Sequence, residues 1–174
     1  MALFLVATDA PGLHVHPWRM VDGSVAIAMT LKDVVVTDEH CLGGDLAAIE
    51  AALERGAFLG CAEAIGIMEK LLADTLDFLR TRNQFGAALG SFQALQHRMV
   101  AQYAILEQAR GLLDLATMAS DPAARSRAVH GARAFIAEAS VTFGHEMIQM
   151  HGGMGVTDEL AIGHGHKRLL VLSR

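Results

Sequence analysis

The chain reads as mainly α: an antiparallel four-helix bundle preceded by a few strands of an incomplete β-domain. Three observations predict this. Beyond about residue 44, apolar residues recur at steps of three and four through three long stretches, the spacing of a buried helical face. Hydrophobic residues fill 52% of the 174 positions but aromatics only 5%. The core is therefore built from Leu, Ala, Ile, Val and Met, a mixture that favours helices over sheets. The front of the chain instead carries short β-like runs between turn residues. Residues 1–42 are accordingly expected as the terminal strands of a partial β-domain, and residues 43–174 as the bundle.

At the front, Ala2 to Thr8 reads as a buried strand, Asp9-Ala10-Pro11-Gly12 as a turn, and Leu13 to His16 as a short strand. Val25 to Leu31 and Val34 to Thr37 follow, after a loop at Val21-Asp22-Gly23-Ser24. Three or four strands are too few to close a sheet, and an open edge normally has neighbours. The chain is thus expected to begin in the middle of a β-domain. Asp45 to Thr81 is the first long helix, with Ile65, Met68, Leu72, Leu76 and Leu79 on its apolar side and a length of roughly 55 Å at ~1.5 Å per residue. Ser91 is the expected cap of a second helix reaching about Ser120, with Phe92, Leu95, Met99, Tyr103, Leu106, Leu113 and Ala116 on one side. Asp121-Pro122 places an N-cap before a proline at the first helical position. The stripe that follows is Val129, Ala132, Ile136, Ala139, Phe143, Met147 and Met150. Thr157 is the expected cap of a last short helix, with Asp158 and Glu159 in its first turn, where acidic residues suit the dipole. Long helices joined by brief loops make an antiparallel bundle.

Several function classes drop out. Nineteen acidic against 14 basic residues give a net charge of −5, and without a long basic run nucleic acid is not an expected partner. Cys41 and Cys61 lack CxxC spacing and fit a reducing cytosol better than a disulfide framework. Met1 to Ala7 is apolar but has no basic n-region, so no signal peptide is expected. No apolar run reaches the ~18 residues of a membrane span. The expectation is a soluble, cytoplasmic protein. His145-Glu146 starts like HExxH, but Gln149 stands where the second ligand belongs. No Glu is followed by His three residues later, His14 and His16 lack a third ligand, and His164 and His166 fall on opposite sides of a helix. No metal site is expected. There is no GxSxG nucleophile elbow, and Gly12, Gly23 and Gly43-Gly44 fit turns.

Two runs remain. One is Arg82-Asn83-Gln84-Phe85-Gly86, followed by Ser91-Phe92-Gln93; the other is Gln149-Met150-His151-Gly152-Gly153-Met154-Gly155, followed by Thr157-Asp158-Glu159. Each has a plain structural reading: a cationic residue at a helix C-terminus with a glycine turn, and a pair of glycines ending a helix. The sequence reading sets them at opposite ends of the bundle. Together they also offer a guanidinium fork, a flat ring, amide side chains and bare backbone beside a new helix start. Those groups suit a ligand that joins phosphates to a flat heterocycle.

In this order and spacing the runs resemble the C-terminal helical domain of the acyl-CoA dehydrogenase family of flavoproteins. Residues 2–40 resemble the last strands of that family's middle β-domain, including Phe4-Leu5-Val6 and Asp9-Ala10-Pro11-Gly12, and residues 44–174 resemble its bundle. The resemblance implies that Arg82, Phe85 and Gln93, with Phe92 in the same motif, meet the pyrophosphate and adenine end of FAD held mainly by a neighbouring subunit. It implies that Gln149, Met150, His151, Gly152 and Gly153 meet the same dinucleotide across the interface of a homo- or hetero-oligomer, a dimer or tetramer. The reaction implied is α,β-dehydrogenation of an acyl-CoA thioester by a carboxylate base and the flavin. The family's usual base, a Glu in a Glu-Gly-Thr phrase, falls just past Arg174. In some members it lies near the start of the first long helix, here near Gly56, which makes Glu54 the candidate within this chain, about 200° round the helix from that position. The tail Ile162-Gly163-His164 with Lys167-Arg168 is similar to the branch assembled from two different subunits. The N-terminal helical domain and the first half of the β-domain, which hold the flavin ring, have no counterpart, so little or no activity is expected of the isolated chain. The alternative expectation is a non-catalytic bundle derived from the family that serves assembly.

Overall fold

Turn chemistry decides how the front of the chain folds. The computed structural model describes residues 2–174, which separate into one unit ending at Arg55 and another spanning Gly56–Arg174. In the first, Leu13 N donates to the Ala10 carbonyl at 3.1 Å with Gly12 at φ +86. Pro11 and Gly12 thus hold the two central positions of a turn that wants a fixed φ and then a left-handed residue. Gly12 is also required by space, since a Cβ there would lie 2.0 Å from the Lys32 carbonyl oxygen. The turn feeds a hairpin of β2 (Leu13–Arg19) and β3 (Val25–Leu31), in register from Leu13↔Leu31 to Arg19↔Val25. A pair of two-stranded sheets results, because the terminal segments β1 (Leu3–Phe4) and β4 (Cys41–Gly43) join only each other.

Two expectations for this region need correction. Ala2 to Thr8 is not a buried strand: only Leu3–Phe4 is extended and paired, and both residues are exposed. Val34 to Thr37 is not a strand either. Thr37 N and Oγ1 lie 3.3 and 2.9 Å from His40 Nδ1, a local capping arrangement that turns the chain into a short 3₁₀ segment, Asp38–His40, instead of a ladder. Val15, Trp18, Val25, Ile27, Met29 and Leu31 of the hairpin are exposed within this unit.

The second unit contains most of α1 (Leu46–Thr81), all of α2 (Gln93–Met118), α3 (Pro122–His151) and α4 (Ala161–Leu172). Asp121 caps α3 as its sequence dictates, accepting from Ala124 N at 2.7 Å with Pro122 following. The helices alternate in direction. Arg125 lies over the Phe58 ring at 5.9 Å, and Phe78 stacks on His151 at 4.3 Å, so α1 and α3 run parallel. Arg98 early in α2 meets Glu146 late in α3 at 2.7 Å, so α2 returns antiparallel. The α4 helix also runs against α3, since Arg133 donates to the Leu172 carbonyl at 2.7 Å. Met68, Leu71, Leu106, Ile136, Phe143, Met147 and Leu169 form the centre of the core. Ion pairs Glu69–Arg110 and Glu63–Arg168 clip α1 to α2 and α4, but such half-exposed pairs contribute only about 0–1 kcal/mol each.

Within the stripes, Thr75 replaces Leu76 in the fully buried set, its hydroxyl satisfied by the Leu71 carbonyl at 2.7 Å. Gln102 is buried where Tyr103 was expected, and Tyr103 is 53% exposed. Ser140 is buried beside a half-buried Ala139. Neither Ser91 nor Thr157 caps a helix. Ser91 Oγ donates to the Ala88 carbonyl inside a 3₁₀ turn, Leu89–Ser91, and Thr157 Oγ1 donates to Met154 O at 2.8 Å. Phe92 and Leu160 occupy the two N-cap positions instead.

Candidate functional site

The parallel course of α1 and α3 overturns one expectation directly: the two motif runs lie at the same end of the bundle, not at opposite ends. Both follow the C-terminus of an upward helix, and the stacked rings of Phe78 and His151 join them. Arg82 leaves α1 with its N–H donated to Phe78 O at 2.8 Å and its carbonyl accepting from Leu89 N at 2.8 Å. Between these bonds the chain makes a small hairpin of β5 (Asn83–Gln84) and β6 (Ala87–Ala88). Its two-residue turn is Phe85-Gly86, with φ +55 and +79.

A turn with two positive φ angles is normally occupied by Asn-Gly. A phenylalanine there costs roughly 1–3 kcal/mol of backbone strain. The ring gains little inside the chain in return, since it is 90% exposed and meets the Phe92 ring edge to face, at 6.3 Å between centroids. The exposed Arg82 guanidinium has no hydrogen bond or ion pair among the described residues, and the Gln93 and Gln149 amides are likewise exposed without protein partners.

On the other side, α3 ends when Gly152 takes φ +59, and the chain continues as a 3₁₀ turn, Gly152–Val156. Gly155 is buried, and a Cβ there would meet the Ile148 carbonyl oxygen at 2.5 Å. Gly153 differs. Its φ is not in the left-handed range and nothing lies within 4 Å of an added Cβ, so nothing in the described chain requires glycine there. Met150 is part of the core and only 5% exposed. His151 is also buried, its Nδ1 2.8 Å from Met147 O, which fixes the ring plane between Phe78 and the glycine turn. Asp158 lies in the loop before α4 and receives Lys167 Nζ at 3.0 Å. That bond, the Lys167 charge and then His164 hold its carboxyl below the usual range. Glu54 is half-buried on the part of α1 that belongs to the first unit.

The sequence over residues 44–173 matches the family model described as acyl-CoA dehydrogenase, C-terminal domain. The chain belongs to the acyl-CoA dehydrogenase family. Among relatives, the acyl-CoA dehydrogenase IpdE2 of Mycolicibacterium smegmatis is 36% identical over 148 residues, covering 80% of this chain and 44% of that protein. The solved steroid ACAD Tcur3481-Tcur3483 superposes with a TM-score of 0.88 at 29% identity, over 99% of this chain and 46% of that one. The structure of PigA with FAD and proline shares the fold, with a TM-score of 0.88 at 23% identity over 98% of this chain and 46% of its own. The chain spans less than half the length of each of these proteins. Their helical C-terminal domain is the part it reproduces, with a few short strands ahead of it.

Two features of this end were missed in the sequence. Phe78 is the ring that bridges the runs; its place four residues before Arg82, one helical turn back, was the available signal. The strain at Phe85 could also have been read, because a two-residue turn between short strands demands positive φ at both positions.

Proposed function

We propose that this chain is the C-terminal portion of a FAD-dependent acyl-CoA dehydrogenase, and that its bundle end grips the phosphate and adenine end of FAD at a seam between subunits. One observation carries the reading: Phe85 and Gly153 are both unexplained by the chain's own packing, and they belong to two runs that the Phe78–His151 stack joins at one end of the bundle. Arg82 supplies a planar fork of donors for phosphate. Phe85, held out by its turn and steadied by Phe92, supplies a face for the adenine ring. Gln93 and Gln149 add amide donors and acceptors, and Gly152-Gly153, carried by Met150 and His151, let a ligand approach the backbone. FAD, when bound, supplies the hydride acceptor for α,β-dehydrogenation of an acyl-CoA thioester. Within this chain Glu54 is the candidate base; unchanged turnover in Glu54→Gln would remove it.

The reading makes the working protein a homo- or hetero-oligomer in the cytoplasm, completed by the segments that hold the flavin ring. Co-expression with the N-terminal half of a family member tests it. A yellow complex carrying about one flavin per reconstituted protomer is expected, and colourless complexes under every such pairing would contradict it. A second reading, a non-catalytic assembly subunit, draws on α2, where Val100, Tyr103, Leu115 and Met118 are exposed. It expects tight oligomers with no flavin, and flavin retention that depends on Arg82 would exclude it.

A further inference from the structure

Helix α4 is seated on the bundle by very few side chains. Only Ile162, His166 and Leu169 are buried, and one of the three can titrate. His166 Nδ1 has no hydrogen-bond partner. Its ring fills a notch left by Gly144 on α3, where an added Cβ would lie 2.1 Å from that nitrogen. Next along α3, the exposed His145 brings a second imidazole to 4.6 Å, centroid to centroid. On the α1 side Gly165 is equally close-fitted, with a Cβ position 2.7 Å from Leu71. A neutral imidazole fits such a dry notch; an imidazolium, with two N–H donors and a charge, needs an acid that is not offered.

Most acids on the elements around α4 are committed elsewhere; Glu138 of α3 is exposed and lines a shallow cavity with Ser173 and Arg174, and Glu159 is exposed in the loop before α4. On α1, Glu63 binds Arg168 at 2.6 and 3.0 Å, Asp74 binds Lys70, and Glu69 binds Arg110. On α3, Glu146 binds Arg98, and Arg133 faces the Leu172 carbonyl. The turn Gly152–Val156 has no charged residue. On α4 itself, Lys167 is held by Asp158, and His164 Nε2 lies 3.3 Å from the Asp158 carbonyl. Burial first, and the His145 charge second, push His166 below the ordinary imidazole range. An undocked His166 therefore takes up a proton more readily than a docked one. Docking is fully favoured above the ordinary histidine pKa and weakens as pH falls through it toward the docked value.

We propose that the His166–Gly144 contact is a pH-sensitive latch: proton uptake by His166 lifts α4 from α3 and loosens the adjoining turn Gly152–Val156. The link to the turn is direct, because a Cβ added at Gly163 of α4 would be in contact with the carbonyl oxygen of Gly155 in the turn, at 3.5 Å, and with that of Thr157 just after it, at 3.6 Å. Only the consequence for FAD rests on the function proposed above; the latch stands on the bundle alone.

Hydrogen exchange of the whole chain at pH about 7.5 and about 5.5, on either side of the imidazole range and corrected for intrinsic rates, tests this without flavin. Amides of 152–156 and 161–172 should lose protection several-fold at the lower pH while those of α2 hold. His166→Phe should keep α4 protected at both values. Should that variant fail to fold, His145→Gln, at an exposed position, serves instead. Removing the neighbouring charge brings the docked and undocked affinities for protons closer, so its acid loss should be smaller. Equal α4 protection at the two pH values in the unmodified chain would overturn the latch. So would an undiminished acid loss in His166→Phe, or in His145→Gln where the first variant does not fold.

Discussion

The flank between α3 and α4 and the open end of the bundle both carry glycines, and at the end one of them, Gly153, is not accounted for by the chain's own packing. On the flank, Gly144 and Gly165 leave room for His166 and Leu71, so the chain itself explains them. At the end, Gly153 has free space and an unremarkable φ, while Phe85 bears an unfavourable φ and an exposed ring. The flank is optimised for packing. The end carries residues that folding does not need, and that difference marks where an outside body is to be sought.

The largest effect should come from the interior shared by the flank: Phe143→Ala, at a side chain with no exposure, should lose about 3–5 kcal/mol in urea unfolding. A loss under about 1 kcal/mol would mean the core packs differently. Gly165→Ala sets overpacking against the Leu71 methyls, about 1–3 kcal/mol, against a helix-propensity gain of about 1 kcal/mol, so a net loss of up to about 2 kcal/mol is expected, and a net gain would show that Leu71 swings aside freely. Asp121→Ala, removing the α3 cap, should cost about 1 kcal/mol. Smallest for stability, and sharpest for the contrast, is Gly153→Ala. Unfolding should move by no more than about 0.5 kcal/mol, while flavin retention in the reconstituted protein falls. If it destabilises as much as Gly165→Ala, the two regions do not differ.

Local signals were legible in the sequence and tertiary ones were not. Asp121-Pro122 and Pro11-Gly12 folded as written, because a cap and a turn are decided by neighbouring atoms. Ser91 and Thr157 carried the same kind of signal, but their hydroxyls are spent on carbonyls three residues back, at Ala88 and Met154. Residues 34–37 had strand composition and lost to the Thr37–His40 turn. The site motifs were found from residue type and spacing. Their meeting at one end required the parallel course of α1 and α3, and the Gly144–His166 fit required the register of α4. Neither is encoded in any short window.

Flavin retained by Arg82→Ala, compared with the unmodified chain in the same reconstituted protein, weighs the whole interpretation. Helicity and assembly should be unchanged, since that guanidinium has no partner among the described residues, and bound FAD should drop sharply. Full flavin content in the variant, with the complex intact, would mean that the bundle end turns a corner and grips nothing.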